Sequence, residues 1–209
     1  PARRTLRWRD AFDVIRDIAD NRPILTMIVL GGAASLFVGN AFQANMPEFA
    51  HDLGTEKADF AYSALLAGNA AGSVFRGFVL DGKAWLPPTV KSATGCAILW
   101  CVTMTVFAFS NSYPFSLVLL FFAGALNLAF YSIAQTIVQL EAPVNLRGRL
   151  IGLFSMSAYG LRAFSGLTVG VLGGLIGIHW SLALSSLILL SVTIALFAFA
   201  RVEELKSKS

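Results

Sequence analysis

Residues 115–140, FSLVLLFFAGALNLAFYSIAQTIVQL, form an apolar run that contains three amides and no charged side chain. A helix rises about 1.5 Å per residue, so roughly 20 such residues cross the hydrocarbon core of a membrane. Five further windows along the chain are similarly long and apolar. The six predicted spans are residues 23–45, 60–80, 92–110, 115–140, 150–176 and 181–200. The pattern therefore predicts an all-α membrane protein, a six-helix transmembrane bundle.

The composition agrees with a chain that faces lipid. Of the 209 residues, 56% are hydrophobic and 13% are charged, and the mean hydropathy is +0.69. A soluble domain of this size cannot hide that much apolar surface in one core. The 16 Lys and Arg outnumber the 12 Asp and Glu, but they lie in short segments between the apolar runs. This distribution fits membrane lipid headgroups and argues against a nucleic-acid partner.

The basic residues also predict the topology. Their number is six before the first span, one in residues 46–59, three from Arg76 to Lys91, none in 111–114, two in 141–149, none in 177–180 and three after the sixth span. This alternation is typical of the positive-inside bias, so we expect a multi-pass protein of the bacterial inner (cytoplasmic) membrane with both termini in the cytoplasm. We divide the chain into a cytoplasmic linker (1–22), a six-helix transmembrane domain (23–200) and a cytoplasmic tail (201–209).

The linker has its own pattern. Residues 6–20 place apolar side chains at helical spacing, with charged residues elsewhere around the helix. We expect a short amphipathic helix on the cytoplasmic membrane surface. Position 1 is Pro and not Met, which suggests a fragment or a processed chain.

Amides and charges are confined to four of the six spans. They occur in the first, second, fourth and fifth spans and are absent from the third and sixth. Such groups are costly in hydrocarbon unless they find partners or line a wet cavity. We therefore expect the first, second, fourth and fifth spans to surround a polar interior, with the third and sixth as outer supports. The predicted substrate-cavity residues are Asn40, Gln43, Asn69, Asn127, Tyr131, Gln135, Tyr159 and Arg162. For each single amide, a hydrogen bond to a neighbouring helix is the alternative.

Two arginines lie inside predicted spans. Arg162 is about 18 Å from the cytoplasmic start of the fifth span, which is near the midplane. Its partner could be an anionic substrate, an acidic residue of another polypeptide or domain, or water and backbone carbonyls in a crevice. Arg76 lies toward the cytoplasmic end of the second span, from where we expect it to snorkel into the headgroups.

Small residues recur at a spacing of four in two spans. Such spacing lets helix backbones approach closely, either in static packing or in helices that slide during a conformational change. The predicted helix-packing residues are Gly68, Gly72, Gly166, Gly170 and Gly174.

No motif predicts catalysis, a cofactor or a metal. The sequence contains no phosphate-binding glycine loop, no zinc-like spacing and no Ser/His/Asp set, and its two histidines, His51 and His179, fall in predicted outer loops. Cys96 and Cys101 point about 140° apart on a helix, so we expect two unpaired core cysteines.

The fourth and fifth spans carry a recognisable signature. Residues 134–140 (AQTIVQL), Pro143 and residues 146–155 (LRGRLIGLFS) resemble the segment that follows the tenth helix of major facilitator superfamily exporters. The resemblance is to the branch of the enterobactin exporters and macrolide-efflux proteins, also called transmembrane secretion effectors. It implies the C-terminal half of a twelve-helix fold, two three-helix inverted repeats, in which the first, second, fourth and fifth helices face the cavity.

Two features depart from that family pattern. Residues 81–88 (DGKAWLPP) keep little of the basic loop motif of the superfamily, and Arg162 occupies a position that is usually apolar in the relatives.

The resemblance leads to a functional hypothesis. We expect a secondary active transporter that exports a small amphiphilic or anionic molecule, such as a siderophore or a drug, by proton antiport. Its partner would be an N-terminal six-helix half, because alternating access needs two halves around a midplane site. The alternative is a half-length, non-transporting structural or assembly subunit bound to another membrane protein in a larger complex.

Overall fold

A computed structural model describes residues 21–39, 41–54, 58–79 and 86–206, and the described chain is helical throughout apart from short connections. The amphipathic helix expected over residues 6–20 lies outside the described residues. In chain order the helices are α1 (Arg22–Phe37), α2 (Ala41–Ala44), α3 (Met46–Asp52), α4 (Ala58–Val79), α5 (Val90–Ala108), α6 (Tyr113–Glu141), α7 (Arg147–Ser155), α8 (Arg162–Ser165), α9 (Leu172–Ile176) and α10 (Ile178–Lys206).

Local sequence signals set several helix boundaries. The side chain of Asn21 accepts a hydrogen bond from the Ile24 amide (3.4 Å), and Pro23 lies in the first turn of α1. Thr89 caps α5 by accepting from the Ser92 amide at 3.2 Å. Such caps satisfy amide groups that have no partner within the helix.

Helices occupy most of the described part of each of the six predicted windows. Among the described residues, four segments are long and apolar enough to cross a membrane: Arg22–Ala44, Val90–Ala108, Tyr113–Glu141 and Ile178–Ala200. The second and fifth windows are not among these four segments, and each has a physical reason. Helix α4 carries Asn69 and Arg76, which lower its mean hydropathy. The fifth window consists of several short pieces rather than one long helix.

The first predicted span, which the segment Arg22–Ala44 covers, contains a turn between two helices. Helix α1 ends at Phe37, and Gly39 adopts a φ of +43° before α2 begins. A Cβ at this position would overlap the Ser35 carbonyl oxygen and the side chain of Ser165. The turn therefore depends on a glycine, which alone adopts this conformation at little cost.

The fifth predicted span is helical along nearly all its length but is not one regular α-helix. Helix α7 passes into a π-helical turn (Met156–Gly160), α8 follows, and a second π-helical turn (Gly166–Val171) precedes α9. A π turn inserts one residue into the helical register, and such turns are frequent at functional sites. The break therefore lies where the sequence predicts substrate-binding residues.

The second and fourth spans approach each other most closely through two glycines. A Cβ at Gly72 would overlap the backbone of Phe121, and a Cβ at Gly124 would overlap the backbone of Asn69. The hydroxyl of Ser73 donates to the Gly124 carbonyl oxygen at 3.1 Å. This contact between α4 and α6 requires residues without side chains at both positions.

Helices α5 and α10 pack on each other and expose apolar faces. Helix α5 buries Trp100 and Phe107 and exposes Leu99, and α10 buries Leu182 and exposes Leu187. Ser191 lies on the exposed face of α10, and its hydroxyl donates a hydrogen bond to the Leu187 carbonyl oxygen at 2.9 Å. Such faces suit lipid, where a polar side chain must find a partner within the protein.

Candidate substrate-binding site

Arg162 begins α8 directly after the first π-helical turn and the single residue Leu161. The amide of Leu161 bonds the carbonyl oxygen of Tyr159, only two residues earlier. The amide of Phe164 bonds the Leu161 carbonyl oxygen at 3.0 Å. The helix is thus irregular between Tyr159 and Arg162, and its register there differs from that of a continuous α-helix.

The guanidinium of Arg162 lies against two tyrosine rings. Its Cζ is 5.0 Å from the ring centroid of Tyr159 and 5.5 Å from that of Tyr131. The two rings stack on each other, with centroids 5.9 Å apart and planes inclined by 24°. These distances fall within the range of cation–π attraction. We call Arg162, Tyr131 and Tyr159 the Arg162 cluster.

The Arg162 cluster keeps unused hydrogen-bonding capacity. Tyr131 is buried, whereas 47% of Tyr159 is exposed. Within the described part of the chain, the Tyr131 hydroxyl and the Nε of Arg162 are buried and have no hydrogen-bond partner. A buried polar group without a partner costs about 1–3 kcal/mol, so its presence indicates a site that a ligand, water or another segment completes.

The structure brings two more predicted cavity residues to the same face of the fourth span. Asn127, Tyr131 and Gln135 recur every four residues along α6 and therefore form one stripe. Both amide residues are half-buried. Gln43 lies on the short helix α2 and is also half-buried. Asn40 lies outside the described residues.

Asn69 lies elsewhere, between α4 and α6. Its side-chain Nδ2 donates to the Leu120 carbonyl oxygen at 3.2 Å, close to the crossing of the two glycines. This is the helix–helix hydrogen bond that the sequence left open as the alternative for a single amide. The geometry therefore gives Asn69 a role in packing and does not bring it to the Arg162 cluster.

The expectation that Arg76 snorkels to the headgroups is wrong. Arg76 is 5% exposed although it lies in the last turn of α4. An arginine that snorkels extends its guanidinium away from the protein core, whereas this one is enclosed by it.

The two cysteines follow the prediction, because Cys96 and Cys101 are both buried and unpaired.

The five predicted packing glycines fall into two groups. A Cβ at Gly68 or Gly72 would meet the backbone of α6. A Cβ at Gly166, Gly170 or Gly174 would meet no atom within 4 Å among the described residues. The glycines of the fifth span thus form an open row, and their predicted role in packing stays a prediction.

One contact that positions the cluster was not predicted. The hydroxyl of Ser157 donates to the Ile28 carbonyl oxygen at 2.8 Å, which joins the fifth span to the first. A Cβ at Gly31 would lie 3.2 Å from the Phe154 ring, and a Cβ at Gly32 would overlap the Ser157 hydroxyl. The glycine pair in the first span was the signal for this close approach.

The family comparison decides the identity of this bundle. The model of the Major Facilitator Superfamily matches residues 28–209, which is most of the chain. The chain belongs to the major facilitator superfamily. Members of this superfamily are membrane transporters and not enzymes, and the match does not favour an assembly subunit. No curated protein and no solved structure gives a significant match.

Membership in the major facilitator superfamily indicates that this chain is part of a transporter, and the polar groups within its spans agree with that role. The chain is an all-α membrane protein with several apolar helices, and a cation and two aromatic rings lie within its fourth and fifth spans. A transporter needs such polar groups within its spans, because its substrate must bind part-way across the membrane.

Proposed function

We propose that this chain forms the C-terminal half of a secondary active exporter of the enterobactin-exporter and macrolide-efflux branch. It resides in the bacterial inner membrane with both termini in the cytoplasm. Its substrate is a small amphiphilic or anionic molecule, such as a siderophore or a drug, and export is driven by proton antiport. An N-terminal six-helix half supplies the rest of the cavity.

The Arg162 cluster is the observation that carries this proposal. Among the described residues Arg162 forms no ion pair with a carboxylate. A guanidinium attracts carboxylates and other anions, and aromatic faces bind apolar surface. A molecule that combines a negative charge with an apolar body satisfies both properties at once.

The open glycine row in the fifth span supports a partner half. Gly166, Gly170 and Gly174 leave room for another backbone, because a Cβ there would meet nothing within 4 Å. Rows of small residues are typical of close helix approach in membranes. A helix of the N-terminal half is the partner that this proposal assigns to the row.

Replacing Arg162 tests the proposal. The Arg162→Leu variant of the full-length protein should export a carboxylated aromatic dye about 10- to 100-fold more slowly, because a charge-assisted hydrogen bond contributes about 1.5–3 kcal/mol. The measurement is dye efflux from cells that express each variant, with expression and membrane insertion checked by immunoblot. Both quantities should match the wild type.

Two controls make the result specific. The Arg162→Lys variant keeps the charge and should retain part of the export, although an ammonium lacks the planar fork of a guanidinium. Export of the uncharged ester of the same dye should fall little when Arg162 is replaced. Unchanged export of the anionic dye by the Arg162→Leu variant would remove Arg162 from the mechanism.

A further inference from the structure

His179 connects three helices at one end of the bundle. It lies in the first turn of α10, two residues after Gly177, whose φ of +85° turns the chain out of α9. Its Nδ1 is 2.6 Å from the Ala108 carbonyl oxygen at the end of α5. Its Nε2 is 3.1 Å from Oδ2 of Asp52, the last residue of α3.

The two contacts of His179 require two N–H donors on its ring. A backbone carbonyl oxygen only accepts hydrogen bonds, and an ionised carboxylate does the same. Both ring nitrogens of His179 must therefore donate. A neutral imidazole carries one N–H group, whereas an imidazolium carries two. The observed geometry is complete only when His179 holds the additional proton.

An apolar anchor holds α3 beside this histidine. The ring of Phe49 meets the imidazole edge-on, with centroids 4.8 Å apart, and lies 5.0 Å from the ring of Phe107. Phe49 is 1% exposed. Burial of this ring does not depend on pH, so it keeps α3 close to α5 while the hydrogen bonds of His179 respond to protonation.

We infer that His179 is a proton-binding site that ties α3 to the ends of α5 and α10. Binding of a proton completes the bridge between the Asp52 carboxylate and the Ala108 carbonyl. Release of that proton leaves one N–H for two acceptors, so one of the two hydrogen bonds is lost. The site is separate from the Arg162 cluster and does not depend on the proposed substrate.

The neighbouring charges define the pH range. The titratable groups on α3 are Asp52, which contacts His179, and His51 and Glu48; His51 Nδ1 lies 3.3 Å from Asp52 Oδ1. Neither the last two turns of α5 nor α9 contains a titratable side chain. Glu56 and Lys57 lie outside the described residues.

Asp52 sets the lower limit of this range. The hydrogen bond from His51, with a smaller contribution from His179, lowers the pKa of Asp52 below its ordinary value against the opposing effect of burial. A lowered pKa means that the carboxylate stabilises the fold above its ordinary pKa of about 3.9 and loses this effect as the pH falls through the lowered value. The bridge is therefore complete only while Asp52 is ionised and both ring nitrogens of His179 carry protons.

Hydrogen exchange of the full-length protein in lipid nanodiscs tests this site. Amides of residues 46–54, corrected for intrinsic exchange rates, should exchange about two- to fivefold more slowly at about pH 5 than at about pH 8, as expected for one exposed charged contact. The His179→Gln variant should lose this pH dependence. The matched His51→Gln variant should keep it, because His51 makes no bridge to α5. A wild type without pH dependence, or a dependence that survives in His179→Gln, would overturn the inference.

A second measurement needs no variant. In wild-type protein labelled with ¹⁵N at histidine, both ring nitrogens of His179 should be protonated at about pH 5 and only one at about pH 8. A single neutral tautomer over the whole range would contradict the inference.

Discussion

Arg162 places a positive charge between two tyrosine rings within the fifth span. A cation–π contact contributes about 0.5–1 kcal/mol when exposed and about 2 kcal/mol when desolvated. With Tyr131 buried and Tyr159 about half exposed, the two contacts together contribute about 2.5–3 kcal/mol, which is no more than the cost of a charge within the membrane, about 2.5–3.5 kcal/mol on insertion scales. The balance favours a residue that is kept for binding rather than for stability.

The ring of Tyr159 should matter more than its hydroxyl. The Tyr159→Leu variant removes one of the two rings that contact the guanidinium, so its transport KM for a carboxylated aromatic dye should rise about two- to thirtyfold. The Tyr159→Phe variant keeps the ring and should stay close to the wild type. The comparison uses initial efflux rates over a series of dye concentrations. Equal KM values for the two variants would mean that stacking on Tyr159 does not support binding.

Single side chains were predicted with uneven success. Hydropathy predicts Arg162 as a charge within a span, and the four-residue spacing puts Asn127 and Gln135 on the face of Tyr131. The same information cannot tell that Asn69 bonds the Leu120 carbonyl oxygen or that Arg76 is enclosed, because both depend on which helix lies beside α4. A sequence pattern fixes the face of a helix but not its neighbour.

At the scale of elements, the breaks in the spans were the part that hydropathy missed. The fifth window contains no proline, and its apolar character is continuous across both π-helical turns. A π turn shifts the register by one residue without changing composition, so a hydropathy window does not detect it. Glycines were the available signal, since Gly39, Gly160 and Gly166 lie at or beside these irregularities.

The crossing of α4 and α6 gives a prediction about stability. The Gly72→Ala variant should lower the free energy of unfolding by about 1–3 kcal/mol, because the added Cβ overlaps the Phe121 backbone. The matched Gly77→Ala variant lies in the same helix, and its Cβ would meet nothing within 4 Å. It should be neutral or stabilising by up to about 1 kcal/mol, because Ala favours helix more than Gly.

Thermal unfolding in detergent, followed by tryptophan fluorescence, compares the two glycine variants directly. A lower midpoint for Gly72→Ala alone supports the close backbone contact. Equal midpoints would indicate that α4 and α6 are further apart than the structure places them.

At the scale of the whole molecule, the distribution of polar residues predicts which spans face lipid and which line the interior. Helices α5 and α10 contain no amide within the membrane and expose apolar faces, whereas α6 and the fifth span carry the Arg162 cluster. The number of helical windows and their order follow from hydropathy. The pairing of the helices does not, because lipid-facing and protein-facing apolar surfaces have the same composition.

The central claim is that the Arg162 cluster faces a water-filled cavity rather than lipid, and thiol labelling tests it. Tyr159 and Leu187 are 47% and 45% exposed, so Tyr159→Cys and Leu187→Cys form a matched pair in the full-length transporter. The native Cys96 and Cys101 are buried and contribute little background. A charged, water-soluble thiol reagent should modify Tyr159→Cys and leave Leu187→Cys unmodified. A Tyr159→Cys variant as unreactive as Leu187→Cys would contradict it.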